Sequence, residues 1–482
     1  MSKFQGIEFY KKSDKKYHLL PFRFINLTEE KLLLTNLVGE YYLTDRKVLD
    51  DLVHHQLDRE NLAYSNLRSR HFLYDEQTSI AKNLLKIKYR TKFNRLADFT
   101  SLHMFVVSLR CEHSCPYCQV SRQSDDKKKY DMSEEVASKS IDLTLRSPSK
   151  NIKIEFQGGE SLLNFELIKY IVEEAKSRNV DKNLGFVIAT NLAVVTQEIL
   201  DYCLMHDIHI STSLDGPKSL HNKNRPRPGK NSYEKTIEGI QLTRDTLGFD
   251  KVNALMTTTE ASLSMPKEII DEYLLHNFSG IFLRPLSPYG FAIKTKKFNE
   301  YNASRWFEFY KQGLEYIIKL NKEGIRFREF YTSTILKKIF TLSDPGYVDL
   351  MSPAGIGIAA VVYNYDGNIF ASDESRMLAE MGENKFKMGN VLHDTYKDIF
   401  LSDALLDPLE DSFALSVPMC NDCAFENYCG ADPVYHYATT NDFVGRKPES
   451  DFCYRNMNAF KYIFNRMDSD KFVEDLFMSW SK

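Results

Sequence analysis

Three cysteines fall close together in Leu109-Arg110-Cys111-Glu112-His113-Ser114-Cys115-Pro116-Tyr117-Cys118, spaced C-x3-C-x2-C. Thiolates at such spacing can bind metal; the alternative is three structural cysteines. An iron–sulfur cubane is normally held by four, so three would leave one iron open to a small chelating ligand. Zinc also wants four ligands, and His113, between two of the cysteines, could supply one. A second set, Cys420, Cys423, Cys429 and Cys453, has the spacing C-x2-C-x5-C-x23-C. Four thiolates could close a tetrahedral zinc site or fully ligate a cubane. The eighth cysteine, Cys203, lies in an apolar helical stretch and reads as a buried hydrophobe.

The rest of the composition narrows the setting. With 482 residues, 43% hydrophobic and 27% charged, the chain has enough core for two or three globular domains. A net charge of −3 gives no field to draw nucleic acid or an anionic membrane, and neither partner is expected. No apolar run approaches the roughly 20 residues of a membrane helix. The start lacks the basic-then-apolar pattern of a signal peptide. A cytoplasmic location is expected, where clustered cysteines serve metals rather than disulfides.

Elements must position these residues. Residues 1–97 read as a small α+β unit. Lys31–Thr35 and Glu40–Leu43 are strands around a turn at Gly39, a helix starts at Thr44-Asp45, and a second spans Tyr64–Leu73. From Leu102 strands and helices alternate. Strands are expected at His103–Leu109, Ile152–Phe156, Gly185–Ala189, Ile208–Ser213, Val252–Thr257 and Ile281–Leu283. Six β-then-α units argue for an α/β fold with a parallel sheet curled into a partial barrel over residues 98–298. Chemistry in such barrels sits at the carboxyl ends of the strands, and the three-cysteine loop follows the first. A helical bridge (299–344) and a last domain (345–482) complete the chain.

The later strand ends carry matching chemistry. The second runs into Gln157-Gly158-Gly159-Glu160, where two glycines admit close backbone approach and Glu160 offers an acceptor for an ammonium group. Asn191 ends the third and Ser213 the fourth; their amide and hydroxyl suit ribose and carboxylate. Arg225 can pair a carboxylate bidentately, with Arg227 two residues away as a competitor. Singly, Asn191, Ser213 and Arg225 are ordinary turn or surface residues; at successive strand ends they make a ligand site. The cysteine triplet with these motifs resembles the radical S-adenosylmethionine (SAM) enzymes. The resemblance implies a partial (β/α)6 barrel and a 4Fe–4S cluster on Cys111, Cys115 and Cys118 that binds SAM. It places the SAM amino group at Gly158, Gly159 and Glu160, and its carboxylate at Arg225.

The four later cysteines are similar to those of the SPASM domain of peptide-modifying radical SAM enzymes, at the positions of its outer auxiliary cluster. The inner cluster's positions do not match: Ser352-Pro353-Ala354-Gly355, Ser372 and the segment near Pro433 stand where cysteines are expected. One auxiliary 4Fe–4S cluster is therefore implied, with zinc as the alternative. Asp373 matches an aspartate that acts as base in related sulfatase maturases, although it could equally pair with Arg376. The N-terminal hairpin and helices resemble small winged-helix modules that bind leader peptides; a structural cap is the other reading. Pro21-Phe22-Arg23-Phe24, Cys118-Gln119-Val120-Ser121-Arg122-Gln123 and Ala371-Ser372-Asp373-Glu374 resemble the His-Xaa-Ser system radical SAM maturase (the HxsB type). That likeness implies a ribosomal precursor peptide with His-Xaa-Ser repeats, a second radical SAM maturase as partner, and an electron donor such as flavodoxin or ferredoxin. The rival expectations are a formylglycine-forming sulfatase maturase and a non-catalytic, zinc-stabilised peptide-binding scaffold.

Overall fold

A computed structural model describes residues 16–75, 80–290 and 302–482. In the first part, β1 (His18–Leu19) pairs antiparallel with β5 (Leu73–Tyr74). Strands β2 (Phe22–Asn26), β3 (Lys31–Asn36) and β4 (Tyr41–Asp45) form an antiparallel sheet with β3 central. The β3–β4 turn uses Gly39 at φ +83°, a conformation open to glycine at little cost. The Asp45 carboxylate caps the helix Arg46–Val53 by accepting from the Val48 N–H. The second helix is Leu62–Ser69, ending earlier than its expected span. Leu32, Leu34, Leu49, Leu52, Leu67 and Phe72 close a separate small core.

The large sheet has eight strands in the order β10-β9-β8-β7-β6-β13-β14-β15. Its parallel half is β6 (Leu102–Ser108), β7 (Asn151–Gly158), β8 (Asn183–Thr190), β9 (Ile208–Ser213) and β10 (Val252–Leu255). Strand β6 is apolar and buried from Met104 to Val107, as a strand covered on both faces should be. Strand β7 alternates, sending Ile152, Ile154 and Phe156 into the core and Lys153, Glu155 and Gln157 to the opposite face. Helices Glu134–Leu145, Phe165–Arg178, Gln197–Met205, Ser232–Leu247 and Pro266–Leu275 alternate with these strands.

The sixth strand differs from expectation. Only Gly280–Ile281 (β11) is extended, and it pairs in parallel with β12 (Arg328–Glu329), apart from the large sheet. Pro285 lacks the N–H that a ladder past Arg284 needs. Instead the Thr258 N–H reaches the Arg284 carbonyl (3.2 Å). The free edge at β6 is filled from far along the chain. Strand β13 (Ala360–Tyr363) pairs parallel to it, and β14 (Asn368–Phe370) and β15 (Lys387–Asn390) follow as an antiparallel meander. Two long helices, Ala303–Lys322 and Asp451–Ser469, pack together, and the second carries Cys453.

Candidate active site and four-cysteine site

The cysteine loop leaves β6 at Ser108 and is clamped from below. Arg110, almost wholly buried, grips Asp131 with two N–H groups (2.7 and 2.8 Å). It also donates to Asp125 (2.9 Å) and to the Leu163 carbonyl (2.8 Å). The turn after β7 presses on the same loop: the Gly159 N–H donates to the Ser108 carbonyl (2.8 Å) and Glu160 N–H to that of Arg110 (2.7 Å). Both glycines are obligatory. Gly158 has φ +151°, and a Cβ there would lie 1.9 Å from the Ser108 carbonyl oxygen; at Gly159 it would lie 2.3 Å from that of Arg110.

One cavity gathers most of the residues singled out from the sequence. Cys111, Cys115, Cys118, Gly158, Gly159, Asn191, Ser213, Arg225 and Asp373 all line it, together with Arg284 and Met377. Glu160 does not. Its carboxylate turns inward, accepting from Thr190 Oγ1 (2.6 Å), the Asn191 N–H (2.8 Å) and the Leu162 N–H (3.1 Å). Burial, with Glu112 nearby, pushes its pKa up to about 7. Its place is to pin the ends of β7 and β8 together. Asn191 holds Ala193 N–H on its Oδ1 (2.8 Å) and sets Nδ2 3.0 Å from His113 Nδ1. The other ring nitrogen of His113 lies 2.8 Å from Ser232 Oγ. Both ring nitrogens of His113 thus have partners inside the protein, and Nδ1 also lies 3.0 Å from Glu112 Oε1.

Arg225 is anchored by a residue whose role the sequence did not disclose. Asp215, fully buried, takes its Nε (3.0 Å) and Nη2 (3.1 Å), and also accepts from the Tyr117 hydroxyl (2.7 Å). The guanidinium lies 5.6 Å from the centre of the Tyr117 ring. Despite burial, Arg225 and its partners hold the Asp215 carboxyl below its usual range. Asp215 sits two residues past the strand-end Ser213, and that position was its only signal. Arg284, just past the displaced sixth strand, was likewise unassigned. Asp373 begins the helix Asp373–Ala379, whose Ser372 hydroxyl caps it, and its carboxylate accepts from Arg376 Nε (3.1 Å). Its neighbour Glu374 is pushed up to about 7 by burial, with Asp349 and Asp373 adding to the effect.

A second cavity holds Cys420, Cys423, Cys429 and Cys453. Its other walls include Phe24, Ile25, Met419, Phe425, Phe452 and Phe460. Burial pushes the Cys420 thiol up to about 11 and Cys115 in the first cavity up to about 12, so binding a metal group would release protons. All eight cysteines are free thiols. Among the described residues, the only trio of metal-ligating atoms found within 4.8 Å of one another is Cys111, Glu112 and His113. Four cysteines lining one largely apolar cavity suit either tetrahedral zinc or a fully ligated cubane. The N-terminal sheet closes this cavity. Thr35 Oγ1 donates to the Ala424 carbonyl (2.7 Å), the Tyr428 hydroxyl to that of Gly39 (2.7 Å), and Asn427 Nδ2 to that of Asn36 (2.8 Å).

Comparison with known proteins agrees with this geometry. Residues 105–271 match the radical SAM superfamily, so this part of the chain is a radical SAM domain. The radical SAM cyclopropyl synthase TigE of Paramaledivibacter caminithermalis is 23% identical over 249 residues, 49% of this chain and 50% of that protein. A cysteine-type anaerobic sulfatase-maturating enzyme of Clostridium perfringens is 22% identical over 347 residues, 68% of this chain and 87% of that protein. The chain thus spans about half the length of the first of these relatives. In structure, anSMEcpe with bound AdoMet superposes with a TM-score of 0.64 at 18% identity, covering 78% of this chain and all of that one. Streptococcus suis SuiB bound to precursor peptide SuiA gives 0.52 at 14% identity, covering 91% and 99%. These likenesses establish the α/β fold with its mixed sheet. No described helix is long and apolar enough to cross a membrane.

Proposed function

Taking the radical SAM domain at residues 105–271 as the premise, we propose that this protein is a maturase that modifies a ribosomally made peptide by radical SAM chemistry. The observation that carries it is the convergence of the three cysteines, the Gly-Gly turn, Asn191, Ser213 and Arg225 on one cavity. When bound, a 4Fe–4S cluster carrying SAM supplies one-electron cleavage of the sulfonium and hydrogen abstraction through the released 5′-deoxyadenosyl group.

The chain's own residues do the positioning. Cys111, Cys115 and Cys118 hold the cluster. Gly158 and Gly159 let backbone approach the SAM amino group without a Cβ in the way. Arg225, fixed by Asp215 through Nε and Nη2, has Nη1 to offer a carboxylate. Asn191 and Ser213 present an amide and a hydroxyl to the remaining polar groups. Asp373 faces the cavity as proton acceptor, oriented by Arg376. Cys420, Cys423, Cys429 and Cys453, which line one cavity, hold one auxiliary 4Fe–4S cluster, with zinc as the alternative.

A peptide substrate draws support from SuiB, solved with a precursor peptide. Within that class the His-Xaa-Ser maturase is the reading we adopt, with an oxidation or cross-link as product, a flavodoxin or ferredoxin as electron donor and a second maturase as partner. The longer match to the sulfatase-maturating enzyme favours a second reading, oxidation of a Cys or Ser to formylglycine. Mass spectrometry separates them. Co-expression with a His-Xaa-Ser peptide should remove hydrogens from that peptide only when Cys115 is intact. Modification of a sulfatase-derived peptide instead would select the second reading, and modification of neither would reject the first.

A further inference from the structure

The four-cysteine site has an internal hydrogen-bond donor that no motif marks. Asn456 lies one helical turn beyond Cys453 in Asp451–Ser469 and is almost wholly buried. Its Nδ2 donates to Cys429 Sγ at 3.5 Å. Its Oδ1 accepts from the Tyr331 hydroxyl at 2.6 Å. Tyr331 is buried on a different helix, Phe330–Phe340, and burial keeps its phenol protonated as a donor. A metal-bound thiolate sulfur only accepts, so with N–H toward Cys429 and the Tyr331 O–H on Oδ1 both ends of the amide are paired; flipped, the phenol oxygen could still accept from the NH2 group, but the carbonyl would face the sulfur unpaired. Tyr331 therefore supports the orientation in which N–H, and not C=O, faces the sulfur.

Asn456 is one of several contributions of the same sign. The Phe425 N–H donates to Cys423 Sγ at 3.4 Å. Lys447, buried and lining the same cavity, has its ammonium within reach of the charges of Cys420, Cys429 and Cys453. Four thiolates in an apolar cavity carry a large negative charge, and reduction adds one more. Hydrogen bonds to the sulfurs and a nearby cation favour the reduced state, and they act strongly where water is excluded.

We propose that Asn456 is a positioning residue for this site: its amide, oriented by the Tyr331 hydroxyl, donates to the Cys429 sulfur and raises the reduction potential of the iron–sulfur group held there. This rests on the reading of the four cysteines as an iron–sulfur site.

The test uses the full chain carrying Cys115→Ala, which leaves the four-cysteine site as the sole source of signal. It is reconstituted anaerobically with iron and sulfide, then titrated against potential and followed by electron paramagnetic resonance. Asn456→Leu should shift the reduced-to-oxidised ratio at fixed potential about tenfold toward oxidised, ~59 mV for a one-electron couple. Tyr331→Phe should move it the same way by less, since the freed amide samples both orientations. An unchanged midpoint in Asn456→Leu at the parent's iron content would overturn the proposal. If that variant loads no iron, an unchanged midpoint in Tyr331→Phe does so. Metal analysis of the parent distinguishes the deeper failure: zinc with no iron there would remove the iron–sulfur reading and this inference together.

Discussion

The two cysteine sites solve opposite problems. The three-cysteine loop is held close to home: Gly159 and Glu160 N–H groups lock onto the carbonyls of Ser108 and Arg110, the Arg110 side chain grips Asp131, and the cavity beyond is lined by strand-end polar groups. The four-cysteine site is held by side chains from distant parts of the chain. Its walls include Phe24, Phe425, Phe452 and Phe460, and the N-terminal sheet closes it. The first presents polar groups to a ligand, the second mainly apolar walls to whatever its four thiols hold. Added backbone atoms should damage the first most, and loosened docking of the N-terminal sheet the second.

Mutations should separate the two. The largest effect is expected from Gly159→Ala, whose Cβ would collide with backbone at 2.3 Å. A destabilisation of about 4 kcal/mol in urea unfolding is expected, with SAM binding lost. Asp215→Ala comes next. It strands Arg225 in a buried position without its counter-charge, for a loss of about 3 kcal/mol, and it should weaken SAM binding in equilibrium dialysis.

Glu374, next to Asp373 at the first cavity and 3.7 Å from Arg284, gives a pH signature. Its carboxyl titrates near 7 in the folded protein, above the usual carboxylate range. The folded state therefore holds this proton more tightly than the unfolded chain. The associated stability is full at pH 4 and is lost as the pH rises through 7. Glu374→Gln should match wild type near pH 4 and exceed it at pH 8, by on the order of 2 kcal/mol. Equal melting profiles at both pH values would contradict this. The smallest effect is expected at the domain seam. Thr35→Val removes one buried hydrogen bond to the Ala424 carbonyl, for about 1 kcal/mol. Limited proteolysis should then cut the N-terminal sheet sooner while 5′-deoxyadenosine formation continues.

What could be read in advance follows physical range. The strands β6 to β10 and their helices announce themselves by local periodicity, and the cysteine loop by spacing. The pairing of β13 with β6 joins Ala360 to Leu102, and no local pattern identifies a partner so far along the chain. Strand β2 (Phe22–Asn26), half-exposed, and the helix Ile80–Phe93, which buries no residue fully, carry weak apolar signals and were not anticipated. The inward turn of Glu160 was equally hidden. A Gly-Gly-Glu segment reads the same whichever way the carboxylate points, and the Thr190 hydroxyl and Asn191 N–H that capture it belong to the next strand. Asp373 both pairs with Arg376 and lines the cavity, so the two possibilities weighed from the sequence are not exclusive.

The central claim is that the three-cysteine cavity binds SAM on a redox cluster and the four-cysteine cavity does not. It is tested most directly by anaerobic reconstitution with iron and sulfide, addition of SAM and dithionite, and measurement of 5′-deoxyadenosine. Wild-type protein and Cys423→Ala should both form it, and Cys115→Ala should form none. No 5′-deoxyadenosine from wild type, or equal amounts from Cys115→Ala, would contradict the claim.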